Sequence, residues 1–215
     1  MISVADMNKL EDLSERHGVS KLHLMENAGR GIADVIAKKY DEKLKNKKLL
    51  IICYHGNNGG DGFVAARYLS EITGVDILFI GEESKLKGEA EKNYLKIQDN
   101  QKITFTSDFE DLNFGDYDII IDAMLGTGSK GRLKEPISAV VDKINKTKAY
   151  KIAVDIPTGM DPDTGKIADK AVKADLILTF HDLKKGLEDY QHKTQVIDIG
   201  IPQEAIKCQS FPSSL

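Results

Sequence analysis

Hydrophobic residues near the start of the chain recur with a helical period. In residues 3–16 and again in residues 20–40, apolar side chains return every three or four positions, which predicts two amphipathic helices. Residues 48–54 are then mostly apolar, too few for a helix, and followed by glycines. This run predicts a strand buried on both faces of a parallel sheet.

The rest of the chain alternates between short apolar runs and segments of helical period. Strands are predicted at residues 75–80, 102–105, 118–122, 151–155, 175–180 and 194–198, and helices at residues 60–73, 86–99, 133–145 and 202–206. Such alternation predicts right-handed β-α-β crossovers and a mainly parallel sheet covered on both sides. We expect one α/β domain over residues 1–215, with a loose tail at 209–215.

Composition narrows the classes of function. Hydrophobic residues make up 41% of the chain and charged residues 30%, with a net charge of −4, as in an ordinary globular protein. No basic stripe favours nucleic-acid binding, and no apolar run is long enough to cross a membrane. Asp6 interrupts any secretory signal at the start, so a cytoplasmic protein is expected. The two cysteines have no metal-ligand spacing.

The first candidate for binding chemistry is the segment Gly56-Asn57-Asn58-Gly59-Gly60-Asp61-Gly62, which follows the first predicted strand. Ligands of doubly wound sheets bind at strand carboxyl ends, and a helix beginning there offers N–H groups to a phosphate. The segment is neither Gly-x-Gly-x-x-Gly nor a phosphate-binding Gly-Lys-Ser/Thr loop, which weakens the oxidoreductase and kinase alternatives. A plain strand-to-helix turn is the simpler interpretation, but it leaves the two asparagines unexplained.

Two further strand ends carry acids. Asp122 is followed by a loop with glycines, hydroxyls and two cations over residues 126–132, and Asp155 is followed by Ile-Pro-Thr-Gly. Each aspartate alone is explained as a turn or cap residue, but two at equivalent strand ends favour a shared site. Asn58, Asp122 and Thr158 all offer hard oxygen donors, which suit an alkali or alkaline-earth cation.

These three motifs together resemble the NAD(P)H-hydrate epimerases, also called the YjeF N-terminal domain family. Residues 24–29 and 179–187 are similar to further segments of that family, so the resemblance covers nearly the whole chain. It implies a Rossmann-like three-layer α/β/α sandwich with N-terminal helices, usually a homodimer. It also implies interconversion of the R and S forms of hydrated NADH and NADPH, and a bound potassium ion.

By motif position, the resemblance assigns potassium to Asn58, Asp122 and Thr158. It assigns substrate contacts to Asn57, Asn58, Gly59, Gly60, Asp61, Gly126, Thr127, Gly128, Ser129, Lys130, Gly131, Arg132 and Asp155. Our hypothesis is that Asp155 is the catalytic residue, acting as general acid and then base. Asp61 is the second candidate for this role.

The chain departs from the family pattern at two positions. Thr158 stands where many members have serine, which keeps the hydroxyl. No proline precedes Lys184, which leaves its role open, and a surface charge is the simpler interpretation. Many relatives continue into a dehydratase domain, so here we expect a separate dehydratase as functional partner. The alternative function is a non-catalytic ligand-binding or scaffold module of the same fold.

Overall fold

A computed structural model describes residues 1–128 and 130–210, without the side chains of residues 209 and 210. The helices are α1 (Val4–Arg16), α2 (Lys21–Tyr40), α3 (Asn57–Leu69), α4 (Gly88–Leu95), α5 (Ile137–Lys146) and α6 (Gln203–Ser210). The strands are β1 (Leu49–Cys53), β2 (Val75–Phe79), β3 (Ile103–Thr106), β4 (Ile119–Ala123), β5 (Tyr150–Val154), β6 (Leu176–Phe180) and β7 (Thr194–Ile197).

The strands form one sheet in the order β3-β2-β1-β4-β5-β6-β7, and every pairing in it is parallel. Strands β2 and β3 extend the sheet on one side of β1, and the chain then returns to add β4 on the other side of β1. In open α/β sheets this switch point leaves a crevice outside the strand carboxyl ends. The predicted α/β class and parallel sheet are confirmed.

Helices cover both faces of the sheet. Alternate residues of β1 point to opposite sides: Ile51 packs in the cluster that contains α2 and α3, and Ile52 in the cluster that contains α5. All five β1 residues are buried, as a strand covered on both faces requires. In the described part of the chain, no helix is both long and apolar enough to span a bilayer.

The N-terminal segment is hydrogen-bonded to the segment that follows β6 and to the loop that contains Asp163. The Ile2 N–H donates to the Leu183 carbonyl at 2.8 Å, and the Val4 N–H donates to Asp163 Oδ1 at 2.9 Å. These bonds anchor the start of α1 at the carboxyl edge of the sheet. The sequence predicts the helix but gives no indication of this placement.

The predicted boundaries of two helices are wrong. Helix α3 begins at Asn57 instead of residue 60, so most of the predicted glycine loop is the first turns of a helix. Close packing explains the glycines: a Cβ on Gly59 would lie 1.8 Å from the Tyr54 carbonyl oxygen. At the other end of the chain, α6 continues to residue 210, into the segment expected to be a tail. Residues 211–215 lie outside the described residues.

Gly59→Ala is expected to lower the free energy of unfolding, because the added methyl meets backbone atoms that no side-chain rotation moves. Overpacking of this kind costs about 1–3 kcal/mol, or roughly 2–4 °C in Tm per kcal/mol for a chain of this size. Thermal unfolding of the purified variant measures the loss. Gly56→Ala is the matched control, because nothing lies within 4 Å of its Cβ position. Equal Tm values for the two variants would contradict the packing explanation.

Candidate active site

A cavity of about 450 Å³ opens at the carboxyl ends of β1, β4 and β5. Three separate stretches of the sequence meet there: the start of α3, the loop after β4 and the residue after β5. The predicted site residues in its wall are Asn57, Asn58, Asp61, Gly126, Thr127, Gly128 and Asp155. The cavity has the size of an ordinary small-molecule site.

The start of α3 forms one end of this cavity. Gly56 is the N-cap and has no side chain to accept from the first turn, so N–H groups of that turn are left for an external partner. No acidic residue lies in the first turn either. Partial positive charge at a helix N-terminus favours an anion such as a phosphate.

Asp122 and Thr158 form a buried pair behind the cavity. Asp122 Oδ1 accepts from the Thr158 hydroxyl at 2.7 Å and from the Met124 N–H at 3.2 Å, and Oδ2 accepts from the Thr158 N–H at 2.8 Å. The Thr158 hydroxyl oxygen also accepts from the Leu125 N–H at 3.0 Å. These bonds tie the loop after β4 to the loop after β5. Burial nevertheless raises the pKa of Asp122 to about 6.

Asn58 faces the same loop with an unused amide. Its Nδ2 atom is buried and has no hydrogen-bond partner among the described residues, and a Cβ on Gly126 would lie 3.0 Å from its Oδ1. An alkali cation fits the oxygens of this neighbourhood: the Asn58 amide oxygen and the Thr158 hydroxyl are hard donors, and Asp122 is a buried carboxyl with no bonded cation among the described residues. No cluster of three or more His, Cys, Asp or Glu for another metal occurs in the described ranges.

Asp155 follows β5 in a left-handed conformation, with φ of 61°. The residue as a whole is 7% exposed. Oδ1 accepts from the Thr179 hydroxyl at 3.0 Å, and Lys184 Nζ lies 2.8 Å from the same oxygen. A non-glycine residue in this conformation is strained and persists where its surroundings hold it, a pattern found at functional sites.

The interpretation of Lys184 as a surface charge is wrong. Its side chain is 1% exposed, and its ammonium donates to the Phe180 carbonyl at 2.7 Å as well as pairing with Asp155. A lysine is rarely buried this deeply without a charged partner. The ion pair stabilises the ionised carboxylate of Asp155.

Asp61 projects from the second turn of α3 into the cavity and is 8% exposed. Unlike the side chain of Asp155, the side chain of Asp61 makes no hydrogen bond or ion pair with the residues that the structure describes. Burial, and then the charges of Asp155 and Glu11, raise the pKa of Asp61 well above its usual range. Burial also raises the pKa of Glu11, which reaches the cavity from α1. This part of the wall is therefore acidic.

Several residues that the family pattern assigns to substrate do not line the cavity. Gly59 and Gly60 are buried in packing contacts, Gly60 against Met25. Lys130, Gly131 and Arg132 are exposed on the loop after β4, and Lys130 Nζ lies 3.8 Å from Asp163 Oδ2. Ser129 lies outside the described residues.

Other wall residues were missed by reasoning from the sequence. They are Val4, Asn8 and Glu11 of α1, together with Tyr54, Met124, Leu125 and Phe180. Nothing in the helical period of α1 distinguishes Glu11 from a solvated acid. Thr179, Phe180 and Lys184 did have a signal, since they belong to a segment that is similar to the family.

A larger concavity of about 620 Å³ lies beside α5 and residues 157–173. Its wall carries lysines and apolar side chains, including Lys146, Lys173 and Ile167, but none of the acids at the strand ends. Chemistry that needs positioned carboxyl groups and a helix N-terminus therefore belongs to the smaller cavity.

The fold and the site define a doubly wound α/β protein with a ligand cavity at its switch point. The chain belongs to the family described as YjeF-related protein N-terminus, which matches residues 21–186.

Among proteins with assigned names, a "Bifunctional NAD(P)H-hydrate repair enzyme Nnr" of Archaeoglobus fulgidus is 45% identical over 206 residues, 94% of this chain and 42% of that protein. An "NAD(P)H-hydrate epimerase" of Nitrosopumilus maritimus is 37% identical over 215 residues, 95% of this chain and 97% of that protein. The chain thus spans about two fifths of the bifunctional relatives and nearly all of the shorter one.

The crystal structure of a yeast protein has a similar fold, with a TM-score of 0.74. The match covers 90% of this chain and 86% of the yeast chain at 22% identity. This likeness supports the Rossmann-like architecture.

Proposed function

We propose that this protein is an NAD(P)H-hydrate epimerase, which interconverts the R and S forms of hydrated NADH and NADPH. Relatives that it matches over nearly their whole length carry that name. The observation that carries the proposal is the shared cavity, whose wall contains both the N-terminus of α3 and Asp155, the partner of the buried Lys184. A pyrophosphate and a ring that becomes cationic need these two environments together.

The charges of the cavity wall orient such a substrate. The start of α3 and the glycines of residues 126–128 offer backbone donors, which suit the phosphates. Glu11, Asp61 and Asp155 form the acidic part, which repels phosphate and stabilises positive charge. We therefore place the hydrated nicotinamide ring beside Asp155.

The hydroxyl of the hydrate sits on a ring carbon next to the ring nitrogen. The nitrogen lone pair expels the hydroxyl as water and leaves an iminium-type cation, and water that returns to the opposite face inverts the carbon. Asp155 is the catalytic residue in this proposal. Its ion pair with Lys184 suits it to stabilise the cation and to take the proton of the incoming water.

A potassium ion is proposed at Asn58, Asp122 and Thr158. It would supply the countercharge for Asp122 and fix the loops after β4 and β5. A homodimer, a separate dehydratase that consumes the S form and a cytoplasmic location stay predictions from the sequence.

A coupled assay tests the function directly. Pure R hydrate is incubated with a purified S-specific dehydratase, with and without this protein, in potassium and in potassium-free buffer. We expect full consumption of the R form only when this protein is present, and faster with potassium. Consumption at the uncatalysed rate would favour the non-catalytic binding or scaffold module.

Thr158→Val is expected to abolish stabilisation by potassium. The change keeps the shape of the side chain but removes a hydroxyl that donates to Asp122. Loss of a buried hydrogen-bond partner lowers the free energy of unfolding by about 1–3 kcal/mol, so Tm falls in both salts. The wild type should have a higher Tm in potassium chloride than in choline chloride at equal ionic strength, because a bound ion stabilises the folded state. The variant should have the same Tm in both salts.

Thr104→Val serves as the control, since Thr104 is an exposed residue of β3. It should keep the full response to potassium. A potassium response in Thr158→Val equal to that of the wild type would remove Thr158 from the cation site.

A further inference from the structure

The cavity holds two buried carboxyl groups in opposite environments. Asp155 has Lys184, the Thr179 hydroxyl and the Phe180 N–H around one oxygen. Asp61 has none of these: it is as buried as Asp155, and no cation or donor bonds it in the described part of the chain. Both carboxyls line the cavity, and they come from different elements, the second turn of α3 and the residue after β5.

The environments assign the two groups different protonation states. Lys184 bonds Asp155 directly, whereas a second carboxylate at Asp61 would be buried beside Asp155 and Glu11 without a bonded cation of its own. Two nearby carboxyls that share one cation do not both ionise readily. Burial without a bonded cation therefore favours the neutral form of Asp61, in agreement with its raised pKa. Charged and titratable groups around it are Glu11 of α1, Lys21 of α2, Cys53 of β1, Glu89 of α4, Asp155 and Lys184.

We propose that Asp61 and Asp155 act on opposite faces of the nicotinamide ring, one as acid and the other as base. This inference rests on the proposed epimerase function and divides between two residues the roles that one carboxyl would otherwise perform in turn. An inversion at one carbon needs proton transfer on both faces, and two carboxyls of opposite environment in one cavity supply an acid and a base.

The step balances in atoms and charge. Neutral Asp61 gives its proton to the hydroxyl, the carbon–oxygen bond breaks with both electrons going to oxygen, and water leaves from that face. A solvent water forms the new carbon–oxygen bond on the other face and loses a proton to the Asp155 carboxylate. Asp61 ends ionised and Asp155 ends protonated, which is the state required for the reverse direction.

This division predicts a partial reaction in variants that keep one carboxyl. With Asp61→Asn, Asp155 still serves its own face in the protonated state that the reverse direction uses. It takes a proton from solvent, passes it to the hydroxyl on that face, and recovers a proton from the water that returns to the same face. The result is exchange of the hydroxyl oxygen with solvent in one epimer, without inversion. Asp155→Asn should show the same exchange in the other epimer.

The experiment follows each pure epimer in ¹⁸O-water with wild type, Asp61→Asn, Asp155→Asn and a control, against a blank without enzyme. Loss of a general acid or base costs about 100- to 10,000-fold in rate, so both variants should lose epimerisation by that factor. Each should still incorporate ¹⁸O into one epimer, and not the same one. Asp34→Asn is the control, because Asp34 is an exposed acid of α2 outside the cavity.

Two outcomes overturn the proposal: epimerisation by Asp61→Asn at the wild-type rate, or a folded Asp61→Asn that exchanges oxygen in neither epimer. Should Asp61→Asn fail to fold, Asp155→Asn decides the question, because only Asp61 is left to exchange the oxygen in that variant. A folded Asp155→Asn that exchanges oxygen in neither epimer overturns the proposal, and so does retention of the original oxygen in the epimer that the wild type forms. A wild type that does not epimerise at all refutes the proposed function itself, so the two failures are distinguishable.

Discussion

Asp155→Asn should lower the rate of epimerisation by about 100- to 10,000-fold, the usual contribution of a positioned acid or base, while binding of the hydrate changes little. Asparagine tolerates the left-handed conformation of this position better than most residues, so the backbone is expected to hold. Its amide oxygen still accepts from Thr179. What it loses is the negative charge that stabilises the ring cation and takes the proton of water.

Turnover of the R form and binding, measured by the shift in Tm with added hydrate, separate these effects. The control is Asp111→Asn, which makes the same change at an exposed acid and should keep full activity. Near-normal turnover by Asp155→Asn would remove Asp155 from the chemistry. A loss of hydrate binding as large as the loss of turnover would instead make it a binding residue.

Lys184→Met should destabilise the protein strongly and also slow epimerisation. Methionine has a similar length, but it leaves the buried carboxylate of Asp155 without its cation and the Phe180 carbonyl without its donor. Removing one partner of a buried ion pair costs about 3–5 kcal/mol. Because an unpaired buried carboxyl favours its neutral form, Asp155 would also lose its ability to accept a proton.

Denaturant unfolding of Lys184→Met gives the change in free energy, and the coupled assay at a temperature where the variant is folded gives its rate. Lys185→Met is the matched control, since the neighbouring lysine is exposed. If Lys184 were only a surface charge, the two variants would be equally stable and equally active, with changes in the free energy of unfolding within about 0.5 kcal/mol. Equivalence would therefore contradict the catalytic ion pair.

Hydrophobic periodicity predicted most of the architecture. Every predicted strand is present within two residues of its expected ends, because the apolar runs of a doubly covered parallel strand are short and continuous. Rules of α/β topology then placed the residues after β1, β4 and β5 at one edge. The sequence thus predicted that Asn57, Asp122 and Asp155 lie close together.

The beginning of α3 shows where local sequence reasoning fails. Glycine-rich segments are typical of loops, since glycine weakens a helix by about 1 kcal/mol per residue. Here Gly59 and Gly60 lie inside α3, where tight packing against Tyr54 and Met25 excludes any larger residue. Tertiary packing overrides the local preference.

The sequence by itself determined the order of strands and helices and the strand ends that carry the site, since these follow from periodicity and chain topology. Only the tertiary structure decided the states of the charged groups. Lys184 is a buried partner of Asp155, the Asp61 side chain is buried with no bonded partner among the described residues, and Glu11 faces the cavity. Burial and countercharge are set by residues distant in the sequence, and for that reason neither residue type nor spacing reveals them.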